Sequence, residues 1–356
     1  MIAEKYELAR AVEQARDVAA RKSIIPALEG VLVKGGYFIG SNAELCIQVK
    51  MDGCEAESFI LPPVAMDMIK NLPDGEVEIK TNDKYELLIK AGKMKHKCQS
   101  FPPDDYAYYQ EHSELDSEIT LPGKALCDAI TRVAYAADDK ASGQIMSGIY
   151  LEAEGGEMNV VALNSAIAAW DRIPYDGNSP LKAIIPKTAA IKLASLGIVD
   201  DLDISYNRFS VIFSSGSFTV SSRLIEGQYF NYRRVFGEGE HKVAVPRKAL
   251  IASLIRASLC IKEGTRNPVV FTYRRGEIGI SLAAVSSMYV DTIPVDGGAD
   301  ADGLRIGFDP AVLIKTLRNF PQDILQMEYT AKNAPAFFYA DGEPLKALVL
   351  PVNIPG

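Results

Sequence analysis

Residues 308–320 read FDPAVLIKTLRNF, a short amphipathic stretch with Pro310 near its start. The chain writes this pattern three times. At an interval of 124 residues upstream, 184–196 read IIPKTAAIKLASL, and 124 further upstream 60–72 read ILPPVAMDMIKNL. Pro62, Pro186 and Pro310 share one register, as do Ile69, Leu193 and Leu317, and again Leu72, Leu196 and Phe320. No insertion or deletion is needed to align them. Proline suits the first turn of a helix, where its missing N–H would be unbonded anyway, so each copy predicts a Pro-initiated helix.

A second element recurs at the same interval. LPGKALCDAITRVA starts at Leu121 and VPRKALIASLIRAS starts at Val245, matching Pro122 with Pro246, Lys124 with Lys248, Leu126 with Leu250 and Arg132 with Arg256. Its earliest copy is expected at the N-terminus. There YELARAVEQARDVAAR (6–21) sets Leu8, Ala11, Val12, Ala15 and Val18 on one face of a helix. Between the helices lie β-type runs around glycine turns, VLVKGGYFIG, GIYLEAEGGEMNVVAL and EIGISLAAV. EVEIK, DLDISY and ILQMEY alternate apolar with polar, as half-buried strands do. FSVIFSSGSFTVSSRLI predicts a hairpin turning at Ser215–Gly216. The period is too long for a solenoid. It is a domain-sized repeat with expected units at 1–116, 117–240 and 241–356, each α+β with two helices packed on antiparallel sheet.

The 356 residues exceed the size at which one core stops growing, roughly 250–300. A hydrophobic fraction of 48% and a charged fraction of 24% are those of an ordinary globular protein. No apolar run approaches the roughly 18 residues of a membrane span, and the N-terminus has no signal-peptide pattern; a cytoplasmic location is expected. Five scattered cysteines without a C-x-x-C pair predict idle thiols in a reducing compartment. His96, His112 and His241 lack metal-ligand spacing. There is no phosphate loop and no nucleophile elbow. The expectation is a protein without catalytic residues, metal or cofactor.

Several longer stretches occur in a telling order: RKSIIPALEGVLV (21–33), NLPDGEVEI (71–79), FPPDDYAYY (101–109), RLIEGQYFNYRRV (223–235) and the ending KALVLPVNIPG. Together they resemble the bacterial DNA polymerase III sliding clamp, the β subunit, along the whole chain. The resemblance implies the DNA-clamp fold and a head-to-tail homodimer. Six similar domains would close into a ring around duplex DNA, with helices inside and sheet outside. It implies a processivity factor that tethers polymerase, clamp loader and other replication or repair proteins, and does no chemistry. Two other readings compete: a clamp-fold binding protein that does not encircle DNA, as a monomer or client decoy, and an enzyme built on three β-rich domains.

Charge sorts as a DNA-lining surface requires. The six helical segments sum to +8 while the whole chain carries −8, leaving −16 elsewhere. Such a lining holds phosphates without reading sequence. Candidate DNA-contacting residues are Arg10, Arg21, Lys70, Lys187, Lys192, Arg247, Lys248, Arg256, Lys315 and Arg318. Arg10, Gln14 and Arg21 are expected on one face of the first helix. The resemblance adds a loop contact near Lys140 and Gln144.

The family seats client peptides in an apolar groove that borrows the C-terminal strand. Carried over by position, the groove comprises Met146, Leu163, Ala166, Ile167, Ala168, Phe230, Arg234, Val235, Val312, Leu348, Leu350, Pro351, Val352 and Ile354. Burial of apolar surface, at about 25 cal/mol per Å², would supply most of the affinity. This chain departs from the family there. ALNSAIA (162–168) stands where the family reads A-T-D-G-H-R-L, Asn353 replaces an Arg, and Phe230 stands at a Pro position. Different or narrower clients are the expected consequence.

Overall fold

The computed structural model describes residues 1–42, 44–107, 117–139, 144–177, 179–262, 267–297 and 302–354. They form two compact units, Met1–Lys124 with Ser195–Leu224, and Ala125–Ala194 with Ile225–Gly356. All strand pairings cited below are antiparallel.

The first unit holds two sheets. One has four strands in the order β1 (Ile2–Glu4), β6 (Glu76–Thr81), β7 (Glu86–Ala91), β8 (Met94–Gln99). The other has eight, in the order β5 (Ser58–Leu61), β2 (Val31–Lys34), β3 (Tyr37–Ser41), β4 (Leu45–Lys50), β16 (Phe218–Arg223), β15 (Ser210–Ser215), β14 (Asp201–Tyr206), β9 (Ser117–Pro122). Helices α1 (Lys5–Arg16) and α2 (Pro63–Lys70) pack together, pinned by Arg16–Asp67 at 2.6 Å and Lys70–Glu13 at 3.0 Å. Helix α1 buries Leu8, Ala11, Val12 and Ala15 against β3 and β4. It lies so close that a Cβ on Gly40 would sit 1.8 Å from the Ala15 carbonyl oxygen, so only glycine fits there.

The second unit repeats the plan. A nine-stranded sheet runs β13 (Leu181–Pro186), β10 (Gly148–Glu154), β11 (Glu157–Leu163), β12 (Ile167–Pro174), β25 (Lys346–Val349), β24 (Ala336–Tyr339), β23 (Ile324–Tyr329), β17 (His241–Pro246), β21 (Asp296–Gly297). A four-stranded sheet runs β20 (Ser287–Pro294), β19 (Glu277–Ala284), β18 (Val269–Arg274), β22 (Arg305–Phe308). Helix α3 (Gly123–Val133) starts at the boundary between the units. Also in the second unit are α4 (Lys187–Ala194), the single turn α5 (Tyr232–Val235), α6 (Arg247–Ser258) and α7 (Pro310–Leu317). Helix α7 starts on Asp309, whose carboxylate accepts from the N–H groups of Ala311 and Val312 at 2.9 and 3.3 Å.

The repeated helices stand where the sequence puts them, with three adjustments. The buried positions of α6, Leu250, Ser253, Leu254 and Ala257, match Leu8, Ala11, Val12 and Ala15 of α1, each 242 residues earlier, so the first copy is offset by less than two periods of 124. Helix α1 stops at Arg16. Val18 N–H bonds the Ala15 carbonyl at 3.1 Å and Ala20 N–H turns to the Leu28 carbonyl at 3.0 Å, so Arg21 lies beyond the helix and not on its face. The β15–β16 hairpin turns at 216–217, one residue after the expected pair.

The sheets reveal a regularity that crosses the repeats. Within each repeat the hairpin after a glycine turn leads to a last strand, namely β4, β12 or β20. The turn has both residues at positive φ in Gly35–Gly36 and Gly155–Gly156. A later hairpin in each repeat ends in β8, β16 or β25. Strand β4 pairs with β16, and β12 pairs with β25. Strands β20 and β8, which hold the same places, are sheet edges.

Candidate functional site

Two surfaces were expected, a cationic helical one and an apolar groove. On the first, Arg10, Arg21, Lys70, Gln144, Lys248, Arg256, Lys315 and Arg318 are exposed. Lys248 reaches Asp323 at 2.8 Å and Arg256 reaches Asp291 at 2.7 Å. Helices α6 and α7 flank an open, shallow cleft of about 550 Å³, lined by Ile255, Leu259, Ile314, Lys315 and Arg318 among others.

Three expected contacts are turned toward protein. Lys192 is 8% exposed in the core side of α4, so it is not available to a phosphate. Lys187 is half-buried and bonds the Ala137 carbonyl at 3.1 Å and the Asp139 carboxylate. Arg247 donates from Nε to the Gln322 carbonyl at 2.5 Å and from Nη2 to the Pro321 carbonyl at 3.4 Å, tying the start of α6 to the segment after α7. Lys140 lies outside the described residues.

The residues expected to form the groove divide into a buried and a more exposed set. Leu163, Ile167, Ala168 and Leu348 are buried, and Leu163, Ala168 and Leu348 belong to an aromatic cluster with Tyr150, Tyr229, Tyr232, Phe236 and Phe337. Met146 and Trp170 pack against that cluster. Tyr150 stacks on Tyr229 at 4.5 Å, and Trp170 meets Tyr232 edge-on at 5.1 Å. Phe230, Arg234, Val235, Leu350 and Val352 are exposed, while Met146, Ala166, Val312, Pro351 and Ile354 are half-buried.

The C-terminal segment is placed by backbone bonds. Leu350 N–H donates to the Ala166 carbonyl at 2.9 Å, and Val352 N–H donates to the Gly307 carbonyl at 2.8 Å. A Cβ at Gly307 would meet the Val352 carbonyl oxygen at 2.7 Å and Ile354 at 2.9 Å, so β22 needs glycine at that point. In the divergent turn, Asn164 Oδ1 accepts from Ala166 and Ile167 N–H at 2.8 and 3.1 Å. Asn164 thus holds the turn, with Ser165 as the other polar residue of 162–168.

Beneath the cluster sits Glu152, a buried carboxylate that the sequence did not single out. It accepts from Tyr232 Oη at 2.6 Å, Arg233 Nη1 at 2.6 Å and Tyr150 Oη at 3.2 Å, with Lys182 at 3.4 Å. Burial pushes its pKa up, but the bonds from Tyr232 and Arg233 outweigh this and hold it below the usual carboxylate range. Trp170 Nε1 donates to Asn159 Oδ1 at 2.9 Å, and Asn159 Nδ2 donates to the Glu152 carbonyl at 3.2 Å. This network fixes α5, which carries the exposed Arg234 and Val235. Nothing local in YLEAE marks this acid as buried, because the partners that hold it lie at Lys182, Tyr232 and Arg233.

Comparison with known proteins decides the family. Residues 1–110 match the DNA polymerase III beta subunit, N-terminal domain, and residues 120–231 match the DNA polymerase III beta subunit, central domain. The chain belongs to the DNA polymerase III β sliding clamp family. Among its relatives, the beta sliding clamps of Staphylococcus aureus and Staphylococcus epidermidis are each 26% identical, with 93% of both chains covered. Solved structures share the fold. A putative DNA polymerase III beta subunit from Eubacterium rectale superposes with a TM-score of 0.89 at 24% identity, and a Pseudomonas aeruginosa sliding clamp with 0.92 at 20%, each covering 99% of both chains. As a member of this clamp family the protein is a non-catalytic processivity factor of DNA synthesis. Among the described residues no helix is long and apolar enough to cross a membrane, and no group of acidic, His or Cys side chains could hold a metal ion.

Proposed function

We propose that two copies of this chain close head to tail into a ring around duplex DNA, each contributing three clamp domains at about 1–116, 117–240 and 241–356. The observation that carries this reading is the pair of open edges. Two of three equivalent strand junctions are closed within the chain, β4 with β16 and β12 with β25, and β8 and β20 are left over. A second copy supplies the missing strand to each edge, and two such junctions leave no further free pair. Heterologous contacts that close on themselves build rings, and unprotected edges otherwise invite indiscriminate pairing.

In this reading Arg10, Arg21, Lys70, Gln144, Lys248, Arg256, Lys315 and Arg318 meet phosphates without reading bases. The remaining acidic surface keeps DNA from binding outside. Polymerase, clamp loader and other clients insert short apolar peptides over Phe230, Val235, Leu350 and Val352, in the cytoplasm. Sedimentation equilibrium tests the assembly. A species of twice 38.8 kDa supports the ring, whereas a monomer at micromolar concentration would favour a clamp-fold binding protein that does not encircle DNA.

A further inference from the structure

Two of the three repeats tie their first helix to a strand by an ion pair at one repeated position. In α3, Arg132 binds Asp171 of β12 at 2.6 Å, and in α6, 124 residues later, Arg256 binds Asp291 of β20 at 2.7 Å. Beside the second pair, Tyr289 Oη donates to Asp291 at 2.8 Å, and Ser253 Oγ lies 3.1 Å from Tyr289 Oη. Helix α1 has the same buried positions as α6, 242 residues earlier, so Gln14 stands where Arg256 does and Ala11 where Ser253 does. Strand β4, LCIQVK, carries no acid to meet Gln14. The first repeat therefore lacks both the pair and the volume of its side chains. Where the backbone does not close over missing side-chain volume, a cavity remains.

A half-open cavity of about 450 Å³ lies there, wholly within the first unit. That volume is within the range of small-molecule sites, roughly 300–1,000 Å³. Ala11 and Gln14 of α1 and Val49 of β4 line it, with residues of the segments 196–200 and 215–218. The apolar part of the lining includes the buried Val49, Met51, Leu196, Ile198 and Phe218. Tyr6 and Val199 also line it, and they are 75% and 77% exposed, so apolar surface there is left in water. The charged side chains are Arg10 and Lys50 against Glu7, Asp52 and Asp200. None of these five forms an ion pair or a side-chain hydrogen bond among the described residues.

Such a lining selects among ligands. A purely apolar molecule would strip water from five charges and replace none of it. A phosphate would gain Arg10 and Lys50 but face three carboxylates, and a cation would gain the carboxylates but face Arg10 and Lys50. We infer that this cavity is a binding site for a small zwitterion with an apolar body, of the size of a dipeptide. The ligand's carboxylate pairs with Arg10 and Lys50, and its ammonium group pairs with the acids Glu7, Asp52 and Asp200. Its side chains cover Val49 and Met51 and take the exposed Tyr6 and Val199 out of water. The site stands apart from the proposed ring, since one copy supplies all of its residues.

Calorimetric titration of the native chain with the dipeptide leucyl-phenylalanine tests the site. One molecule per chain should bind with a Kd of about 1 mM or lower, and inorganic phosphate should not compete. The same dipeptide, N-acetylated and C-amidated, lacks both charges and should bind about tenfold more weakly. Lys50→Glu, at an exposed position, should weaken the zwitterion about tenfold and leave the melting temperature unchanged. Gln14→Arg with Val49→Asp restores the kind of pair that the other two repeats have and should abolish binding. If the fold does not tolerate an acid at the buried Val49, Lys50→Glu decides alone. No saturable binding at roughly ten times that Kd, equal binding of the capped dipeptide, or unchanged affinity in Lys50→Glu overturns the proposal. Competition by phosphate overturns it as well, because the cavity would then belong to the phosphate-binding surface.

Discussion

Glu152 shows how one buried side chain can hold a single helical turn in place. Its carboxylate binds Tyr232 and Arg233 of α5. Replacing Glu152 with Ala leaves Arg233 and Tyr232 without their acceptor and should cost about 3 kcal/mol, read as a lower urea midpoint. Its folded pKa is lowered, so its contribution is present above the unfolded value of about 4.3 and is lost as pH falls through the folded value. The native chain should therefore lose stability below about pH 4 more steeply than Glu152→Gln. Gly40→Ala should cost about 3 kcal/mol or more, because a Cβ there collides with the backbone of Ala15 and α1 must lift from β3. Neither role was legible in the sequence, since both depend on partners far along the chain. The proline register and the turn glycines were legible because their constraints are local.

Helices α6 and α7 carry Lys248, Lys315 and Arg318 on exposed positions. Changing all three to Glu should weaken DNA binding and flatten its dependence on salt, by about one unit of slope per lost phosphate contact, with an unchanged melting temperature. An unchanged salt slope would remove these helices from the DNA surface. Arg247, which looked equivalent in the sequence, is unsuitable for that test because it binds the carbonyls of Pro321 and Gln322. Periodicity does not say where a helix ends or what meets its first turn, which is why Arg21 falls beyond α1 and why Lys187 and Arg247, at the starts of α4 and α6, bond backbone carbonyls; Lys192 was misread by its face, which is turned to the core. At the tail, removing residues 350–356 strips Leu350 and Val352 from the proposed groove. Polymerase stimulation should be lost while the sedimenting mass stays that of the native chain.

For the molecule as a whole, the repeat at 124 residues was readable, and the sharing of sheets between repeats was not. Strand pairing across repeats is non-local, and alternation along β8 or β16 says nothing about the neighbour each will find. That neighbour is what distinguishes a closed junction from an open edge, and so a ring from a row of domains. The central claim is topological, so the decisive measurement is retention of the chain, placed by a clamp loader, on nicked circular DNA before and after the circle is cut once. Encirclement predicts stable retention on the circle and rapid loss from the linear form at the same salt. Equal retention on both forms would contradict it, since only ordinary surface binding is indifferent to a free end.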